Sequence, residues 1–201
     1  METKQKEIRE LSKKHPKLET LMYRVNKDSL KQVHTAQMQK KASGIDGVTK
    51  QDYEKNLDEN LEELIKRMKT FSYRPQPVRR TYIPKGNGKM RPLGIPAYED
   101  RLVQGVMANI LNEVYEPRFL DCSYGFRPGR SAHDAIRDIN QTLMCRRVNY
   151  ILDCDIKGFF DNVNHEWLMK FLEHDIADKN FLRYVKRFLK AGIMEKGVYS
   201  E

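Results

Sequence analysis

The stretch YILDCDIKGFFDNVNHEWL (residues 150–168) decides the fold, because it places carboxylates within and directly after an apolar run. Its first seven residues, Tyr150 to Ile156, predict a buried strand. The side chains of Asp153 and Asp155 point to the same face of such a strand, because orientation alternates with a period of two. Like charges held together repel unless a cation lies between them, which suggests Mg²⁺. In the alternative, Asp153 is solvated and Asp161 caps the following helix.

A basic β-hairpin is predicted earlier in the chain. The segment VRRTYIP (78–84) has the β-branched and aromatic content of a strand, and RPLGIP (91–96) is a second extended segment after a glycine turn. Glycines let the backbone approach a phosphate closely, and Lys85, Lys89 and Arg91 would neutralise its charge. The spacing excludes a Walker A loop. Taken alone, a solvated turn is the commoner explanation.

A loop that mixes aromatic residues with arginines forms the third notable segment, FLDCSYGFRPGRSAHDAI (119–136). Tyr124, Phe126, Arg127 and Arg130 lie in this loop, before a predicted helix. Such residues suit stacking on bases and pairing with backbone phosphates. The alternative is a structural loop held by an arginine–carboxylate pair.

The rest of the chain predicts an α+β fold, with helices first and a mixed sheet after them. Periodic apolar residues and capping residues place the helices. The predicted starts and spans are as follows: a second helix opening at Pro16, a third capped by Asp28 and running to about Lys41, a fourth with Thr49 and Asp52 as its capping box, an amphipathic stretch at Leu61 to Met68, an apolar helix through Leu102 to Val114, a helix capped by Ser131, and two helices at His165 to Glu173 and Ala177 to Ala191. The final GVYSE (197–201) predicts a strand.

Composition points to a polyanionic partner. The 201 residues include 37 Lys and Arg against 28 Asp and Glu, a net charge of +9. This excess favours nucleic acid as a partner, although a protein with many surface lysines has the same balance. Three separated cysteines argue against a zinc knuckle or a disulfide framework. We expect a cytoplasmic protein without a membrane span, because no apolar run approaches about 20 residues.

The stretch DIKGFFDNVNH resembles the first catalytic motif of the reverse transcriptase palm, in the form found in group II intron-encoded proteins. The pattern is an Asp, four residues and an aromatic residue. The resemblance implies that Asp155 is the catalytic carboxylate and a Mg²⁺ ligand, with the carbonyl of Ile156 as a second ligand. It also implies that Phe160 is a steric gate that selects dNTPs.

Three further segments resemble the same family. RTYIPKGNGKMRPLGIP is similar to a fingers motif, which implies that Lys85 and Arg91 hold the triphosphate of the incoming dNTP. SYGFRPGRS resembles the next fingers motif, which contacts the template strand and would do so here through the aromatic and arginine residues named above. KASGIDGVT resembles the loop before the fingers, so Lys40, Lys41 and Thr49 are expected to contact the nucleic-acid backbone.

The resemblance implies a truncated right-hand polymerase. Its expected parts are a helical N-terminal extension (1–40), the fingers (41–148) and the start of the palm (149–201). The implied function is RNA-templated DNA synthesis for a group II intron, with roles in splicing and mobility. The partners would be intron RNA, an RNA template with a DNA primer, and dNTPs.

No Asp-Asp pair occurs in the sequence. We therefore expect a fragment of a longer polymerase, inactive by itself, because the family's second carboxylates come from such a pair. The sheet edge left at GVYSE favours self-association, for example as a homodimer. Two alternatives remain: a retron-type reverse transcriptase, and a non-catalytic maturase that uses the polymerase fold as an RNA-binding scaffold.

Overall fold

The computed structural model describes residues 8–12, 14, 17–84, 86 and 88–200, and its fold is α+β as predicted. The helices are α1 (Lys27–Ala36), α2 (Lys50–Glu54), α3 (Leu57–Lys69), α4 (Tyr98–Tyr115), α5 (Ala132–Cys145), α6 (His165–Asp175) and α7 (Lys179–Leu189). The strands are β1 (Val78–Pro84), β2 (Met90–Ile95), β3 (Ile193–Glu195) and β4 (Val198–Ser200). No helix in these ranges is long and apolar enough to cross a membrane.

The four strands form one mixed sheet in the order β2-β1-β3-β4. The predicted hairpin is confirmed, with β1 and β2 antiparallel and Pro84 opposite Met90 next to the turn. β1 also pairs in parallel with β3, where Val78 lies opposite Ile193. The strand predicted at residues 197–201 is confirmed as β4, antiparallel to β3.

Capping residues fix most of the helix starts. The capping box of Thr49 with Asp52 and the cap at Ser131 are confirmed, and Ser131 also forms a capping box with Asp134. The prediction that Asp28 caps a helix running to Lys41 is wrong. Asn26 is the cap, because its side chain accepts from the backbone N–H of Ser29, and α1 ends at Ala36. Pro16 lies outside the described residues.

One hydrophobic core joins the early and late parts of the chain. Its least exposed members are Leu30, Leu61, Leu64, Leu102, Val103, Val114, Phe181 and Tyr184. The backbone N–H of Leu18 donates to the carbonyl of Asp175 (2.8 Å), and the N–H of Ala177 donates to the carbonyl of Leu18 (2.8 Å). Both ends of the chain therefore pack into the same core, and the three-part domain division stays a prediction.

The predicted buried strand at residues 150–156 is wrong. The segment has no regular secondary structure, and Tyr150 and Leu152 are 94% and 88% exposed. A strand needs a neighbour to complete its hydrogen-bond ladder, and none of the described strands runs beside this segment. The apolar face of α5 is likewise uncovered, since Ile136 and Ile139 are exposed.

A buried carboxylate makes the stability of this fold pH-dependent. Asp100 is 2% exposed and accepts hydrogen bonds from the Tyr73 hydroxyl and from the backbone N–H of Gln76 (2.8 Å). Burial raises the pKa of Asp100 from 3.8 to about 6. The folded state therefore binds the proton more tightly, so the contribution of Asp100 to stability falls as the pH rises from about 4 to about 6.

We predict that this loss reaches about 3 kcal/mol, since each pKa unit corresponds to about 1.4 kcal/mol. The measurement is urea unfolding between pH 4 and pH 7 for the wild type and Asp100→Asn. The stability of the wild type relative to the variant should decrease across this range. Asp58→Asn is the control, because hydrogen bonding to Lys27 lowers the pKa of Asp58, so this carboxyl titrates below the range and its stability difference should stay nearly constant. A pH-independent difference for Asp100→Asn would contradict the prediction.

Candidate nucleic-acid interface and catalytic segment

The loop after α1 is fastened to the base of the hairpin and to the start of α4. The guanidinium of Arg79, on β1, donates twice to the carbonyl of Ser43 (2.6 and 3.1 Å). Arg101, on α4, donates to the carbonyl of Ala42 (2.6 Å). Two charge-assisted contacts to backbone therefore hold this loop in one place.

Close packing also requires a glycine in this loop. A Cβ atom at Gly44 would lie 2.5 Å from the Cα of Ala97, so only glycine permits this approach. The carboxylate of Asp46 accepts from the backbone N–H of Tyr98 (3.2 Å). The buried Nζ of Lys50 donates to the carbonyl of Gln37 (2.8 Å), which fixes the segment before the loop.

These contacts leave two of the three predicted backbone-binding residues accessible. Lys40 and Lys41 are exposed at the turn between α1 and the loop. The hydroxyl of Thr49 instead donates to the carboxylate of Asp52 (2.6 Å) and accepts from its N–H (3.2 Å). The hydrogen bond from the Thr49 hydroxyl lowers the pKa of Asp52 to about 2. Thr49 therefore caps the helix, and the side chains of the two lysines remain accessible to a phosphate.

The hairpin presents an exposed cation near its turn. Arg91 lies opposite Ile83 in the β1–β2 ladder and is exposed. Lys85 lies outside the described residues. The hydroxyl of Tyr82 donates to the carboxylate of Glu195 on β3 (2.9 Å), which ties the hairpin to the adjoining strand.

Arg127 organises the loop before α5. Its guanidinium donates to the carboxylate of Glu116 (2.9 Å) and to the carbonyls of Leu120 and Ser123 (both 2.8 Å). It also lies 5.2 Å from the ring centroid of Phe119. The side chain is only 7% exposed, so the structure realises the arginine–carboxylate alternative at this position.

The other predicted residues of that loop are accessible. Phe126 is completely exposed and has a left-handed backbone (φ 58°), a conformation that costs a non-glycine residue roughly 1–2 kcal/mol. Arg130 lies over the ring of Tyr124, with 5.5 Å between the guanidinium and the centroid. The hydroxyl of Tyr124 donates to Asp138 (2.8 Å). The structure therefore brings Tyr124 and Arg130 together and directs an aromatic ring into solvent beside them.

The segment with the predicted catalytic and Mg²⁺-binding residues Asp155 and Ile156 ends in a turn at Gly158. Asp155 and Ile156 are exposed, and Gly158 follows with a positive φ of 62°. The side chain of Asn162 closes this turn by donating to the carbonyl of Gly158 (2.7 Å). Phe160 is 82% exposed and packs edge-to-face on Phe159, with 5.3 Å between ring centroids.

The helix after this turn has a different cap from the one proposed. Asn164 is the cap of α6, since its side chain accepts from the backbone N–H of Trp167 (3.0 Å). The alternative in which Asp161 caps that helix is therefore wrong.

The described residues contain no group of three or more His, Cys, Asp and Glu side chains that could hold a metal ion. The carboxylate of Asp155 and the carbonyl of Ile156 are hard oxygen donors, the type that Mg²⁺ prefers, and both residues are exposed. These two donors are of the chemical type that fits a Mg²⁺ site. Two donors supply only part of the octahedral set of ligands that Mg²⁺ takes.

Sequence reasoning missed the residues that hold the first loop in place. Arg79 and Arg101 bind carbonyls that lie 36 and 59 residues away in the chain. Because these partners are distant and are backbone atoms, no local pattern marks the two arginines. Gly44 carried the one available signal, a glycine in a loop otherwise rich in polar residues.

Comparison with known proteins identifies the family to which this chain is similar. Residues 83–200 match the family described as reverse transcriptase (RNA-dependent DNA polymerase). Protein YkfC of Escherichia coli is 40% identical over 159 residues, which cover 78% of this chain and 42% of YkfC. The group II intron-encoded protein LtrA of Lactococcus lactis is 43% identical over 143 residues, which cover 71% of this chain and 24% of LtrA.

The chain belongs to the reverse transcriptase family, because the family match spans more than half of its residues. Within that family its relatives include group II intron-encoded proteins and an intron maturase, the nuclear intron maturase 1 of Arabidopsis thaliana, 32% identical over 95 residues that cover 47% of this chain and 13% of that protein. The predicted resemblance to group II intron-encoded reverse transcriptases and maturases is thus confirmed. The chain spans less than half the length of these relatives.

Proposed function

We propose that this chain binds RNA and forms the fingers and the leading edge of the palm of a group II intron reverse transcriptase. The polymerase would copy RNA into DNA and act in intron splicing and mobility. One observation carries this proposal: the segments that resemble the family's motifs occur in the expected order, and the side chains expected to bind ligands in them are exposed. Asp155, Phe160, Phe126 and Arg91 all lie in their family motifs with exposed side chains.

Roles for the individual residues follow from the resemblance to the motifs of the family. Asp155 would be the catalytic carboxylate, and the exposed ring of Phe160 would contact the sugar of the incoming dNTP. Lys85 and Arg91 would hold its triphosphate. Tyr124, Phe126 and Arg130 would stack on and bind the template strand, with Arg127 shaping their loop. Lys40 and Lys41 would bind nucleic-acid backbone, with Thr49 capping the helix after their loop.

Mg²⁺ would be held by the carboxylate of Asp155 and the carbonyl of Ile156. When bound, the ion would neutralise charge on the transferring phosphoryl group. The protein's own contribution is to keep two oxygen donors accessible directly before the Gly158 turn, which positions the Phe160 ring a few residues further on. Because polymerases of this kind use further carboxylates, we propose that the 201-residue chain alone does not extend a primer.

We predict that RNA binding by this chain depends steeply on salt. If about six phosphates are neutralised, the logarithm of the association constant should fall with the logarithm of salt concentration at a slope of about −4 to −5. Fluorescence polarisation with a labelled single-stranded RNA measures this slope. Lys40→Gln/Lys41→Gln should reduce its magnitude by about 1.4, since each contact to single-stranded RNA contributes about 0.7.

A matched control is the variant Lys55→Gln/Lys66→Gln. It removes the same charge from two exposed lysines on other helical segments, each of which pairs with an exposed carboxylate. Its slope should equal that of the wild type. Salt-independent binding by the wild type would overturn the proposal that this chain binds RNA through its phosphates.

A further inference from the structure

A groove lined by cations lies along α7, and none of its lining residues belongs to the candidate site described above. It has a volume of about 460 Å³ and runs between the segment before β1, helix α7 and strand β4. Five of its lining residues are basic and none is acidic. The residues used below are Arg74, Arg183, Lys186, Arg187, Lys190 and Tyr199.

The arginines of the groove are held by neutral groups. Arg187 donates to the carbonyls of Tyr73 (2.7 Å) and Phe71 (3.0 Å), and Arg74 donates to the same Phe71 carbonyl (3.2 Å). The guanidinium of Arg183 lies 4.1 Å from the ring centroid of Phe71. These contacts fix the side chains without cancelling their charge.

The charge of the groove is uncompensated within the described part of the chain. None of its five basic residues forms an ion pair with a described carboxylate. Burial, together with the positive charges of Arg74 and Arg183, lowers the pKa of Arg187. Like charges gathered at this density repel one another, and an anion in the groove would relieve the repulsion.

Two lysines and an aromatic ring complete the lining. Lys186 lies on α7 and Lys190 is the residue that caps its C-terminal end; both are exposed, and they are four residues apart, which places them on the same side. The ring of Tyr199 packs on the backbone of Gly192, where a Cβ atom would come within 2.5 Å of it. The ring remains half exposed in the groove wall.

We infer that this groove is a second phosphate-binding site, which takes the backbone of an RNA strand. The fixed guanidinium groups suit phosphate oxygens, and the two lysines supply mobile point charges beside them. The exposed ring of Tyr199 offers a stacking surface for a base, a feature typical of sites for single-stranded nucleic acid. The site rests on the proposed RNA binding and extends it to residues outside the reverse transcriptase motifs named above.

The test compares variants of the whole chain in binding a labelled oligouridylate. Lys186→Gln/Lys190→Gln removes two charges that make no described hydrogen bond, so the fold should persist, and thermal unfolding checks this. We expect the slope of the logarithm of the association constant against the logarithm of salt concentration to be about 1.4 lower in magnitude. Near 0.1 M salt the dissociation constant should rise roughly tenfold or more. Lys186→Arg/Lys190→Arg should bind as the wild type does, and so should the charge-matched Lys55→Gln/Lys66→Gln.

Two results would overturn the inference while leaving the proposed function intact. In the first, Lys186→Gln/Lys190→Gln binds RNA as tightly as Lys55→Gln/Lys66→Gln. In the second, polyglutamate of equal length weakens RNA binding by the wild type but not by Lys186→Gln/Lys190→Gln, and binds the wild type as tightly as oligouridylate does, which would assign the groove to an acidic protein segment. If the wild type itself fails to bind oligouridylate, the proposed RNA binding and this site fall together.

Discussion

Replacing Asp155 with Asn is expected to abolish primer extension by a full-length group II intron reverse transcriptase that contains this chain, a loss of at least about 10³-fold, or roughly 4 kcal/mol of transition-state stabilisation. The substitution keeps the size of the side chain and removes its negative charge. Because Asp155 is exposed and sits outside any described sheet, the change should leave folding intact. The assay is primer extension on an RNA template with Mg²⁺ and dNTPs.

Asp153→Asn is the matched control, since Asp153 lies two residues away in the same exposed segment. It should retain most of the activity, because the family motif begins at Asp155. The 201-residue chain should be inactive with or without either substitution. If a full-length protein that contains this chain binds RNA tightly yet extends no primer, the maturase alternative replaces the polymerase. An Asp155→Asn variant that still extends would remove Asp155 from the catalytic role.

The second large effect is expected at Arg127, through stability. Arg127→Ala would leave Glu116 nearly buried, with 16% of its side chain exposed, and would leave two carbonyls without their donor. Breaking a buried ion pair from one side typically costs about 3–5 kcal/mol. We therefore expect Arg127→Ala to lower the free energy of unfolding by about 3 kcal/mol, measured by urea denaturation.

Arg130→Ala serves as the comparison within the same loop. Arg130 pairs with a fully exposed Asp121, and pairs of this kind contribute under about 1 kcal/mol. Its loss should instead weaken RNA binding, since the guanidinium lies over the Tyr124 ring in the loop that also exposes Phe126. Equal stability losses in the two variants would contradict the division into a loop-shaping and an RNA-binding arginine.

The contrast between these two arginines indicates what sequence can predict in this protein. Both lie in one motif, and composition alone assigns them the same role. The structure separates them because Glu116 precedes the loop at the distance that lets it reach Arg127. The caps at Thr49 and Ser131 and the hairpin at β1–β2 were predictable, since each depends on residues that are close in the sequence.

The segment at residues 150–156 shows the opposite case. Its apolar run predicts a strand by local criteria, and that prediction is wrong because a strand exists only when another strand pairs with it. No local pattern reports whether such a partner is present. For the same reason the motif marks Asp155 and Phe160 as candidate functional residues without predicting that both are exposed.

The contacts between the early and the late parts of the chain can form only after the late part has been synthesised. The backbone N–H of Met22 donates to the carboxylate of Asp178, 156 residues further along the chain. At typical translation rates of roughly 5–20 residues per second, the early segment waits about 10 to 30 seconds for this partner. During that interval the side chains of Leu18 and Leu21, which end up in the core, are uncovered on the nascent chain. The protein is therefore expected to depend on chaperones that bind chains while they are still on the ribosome.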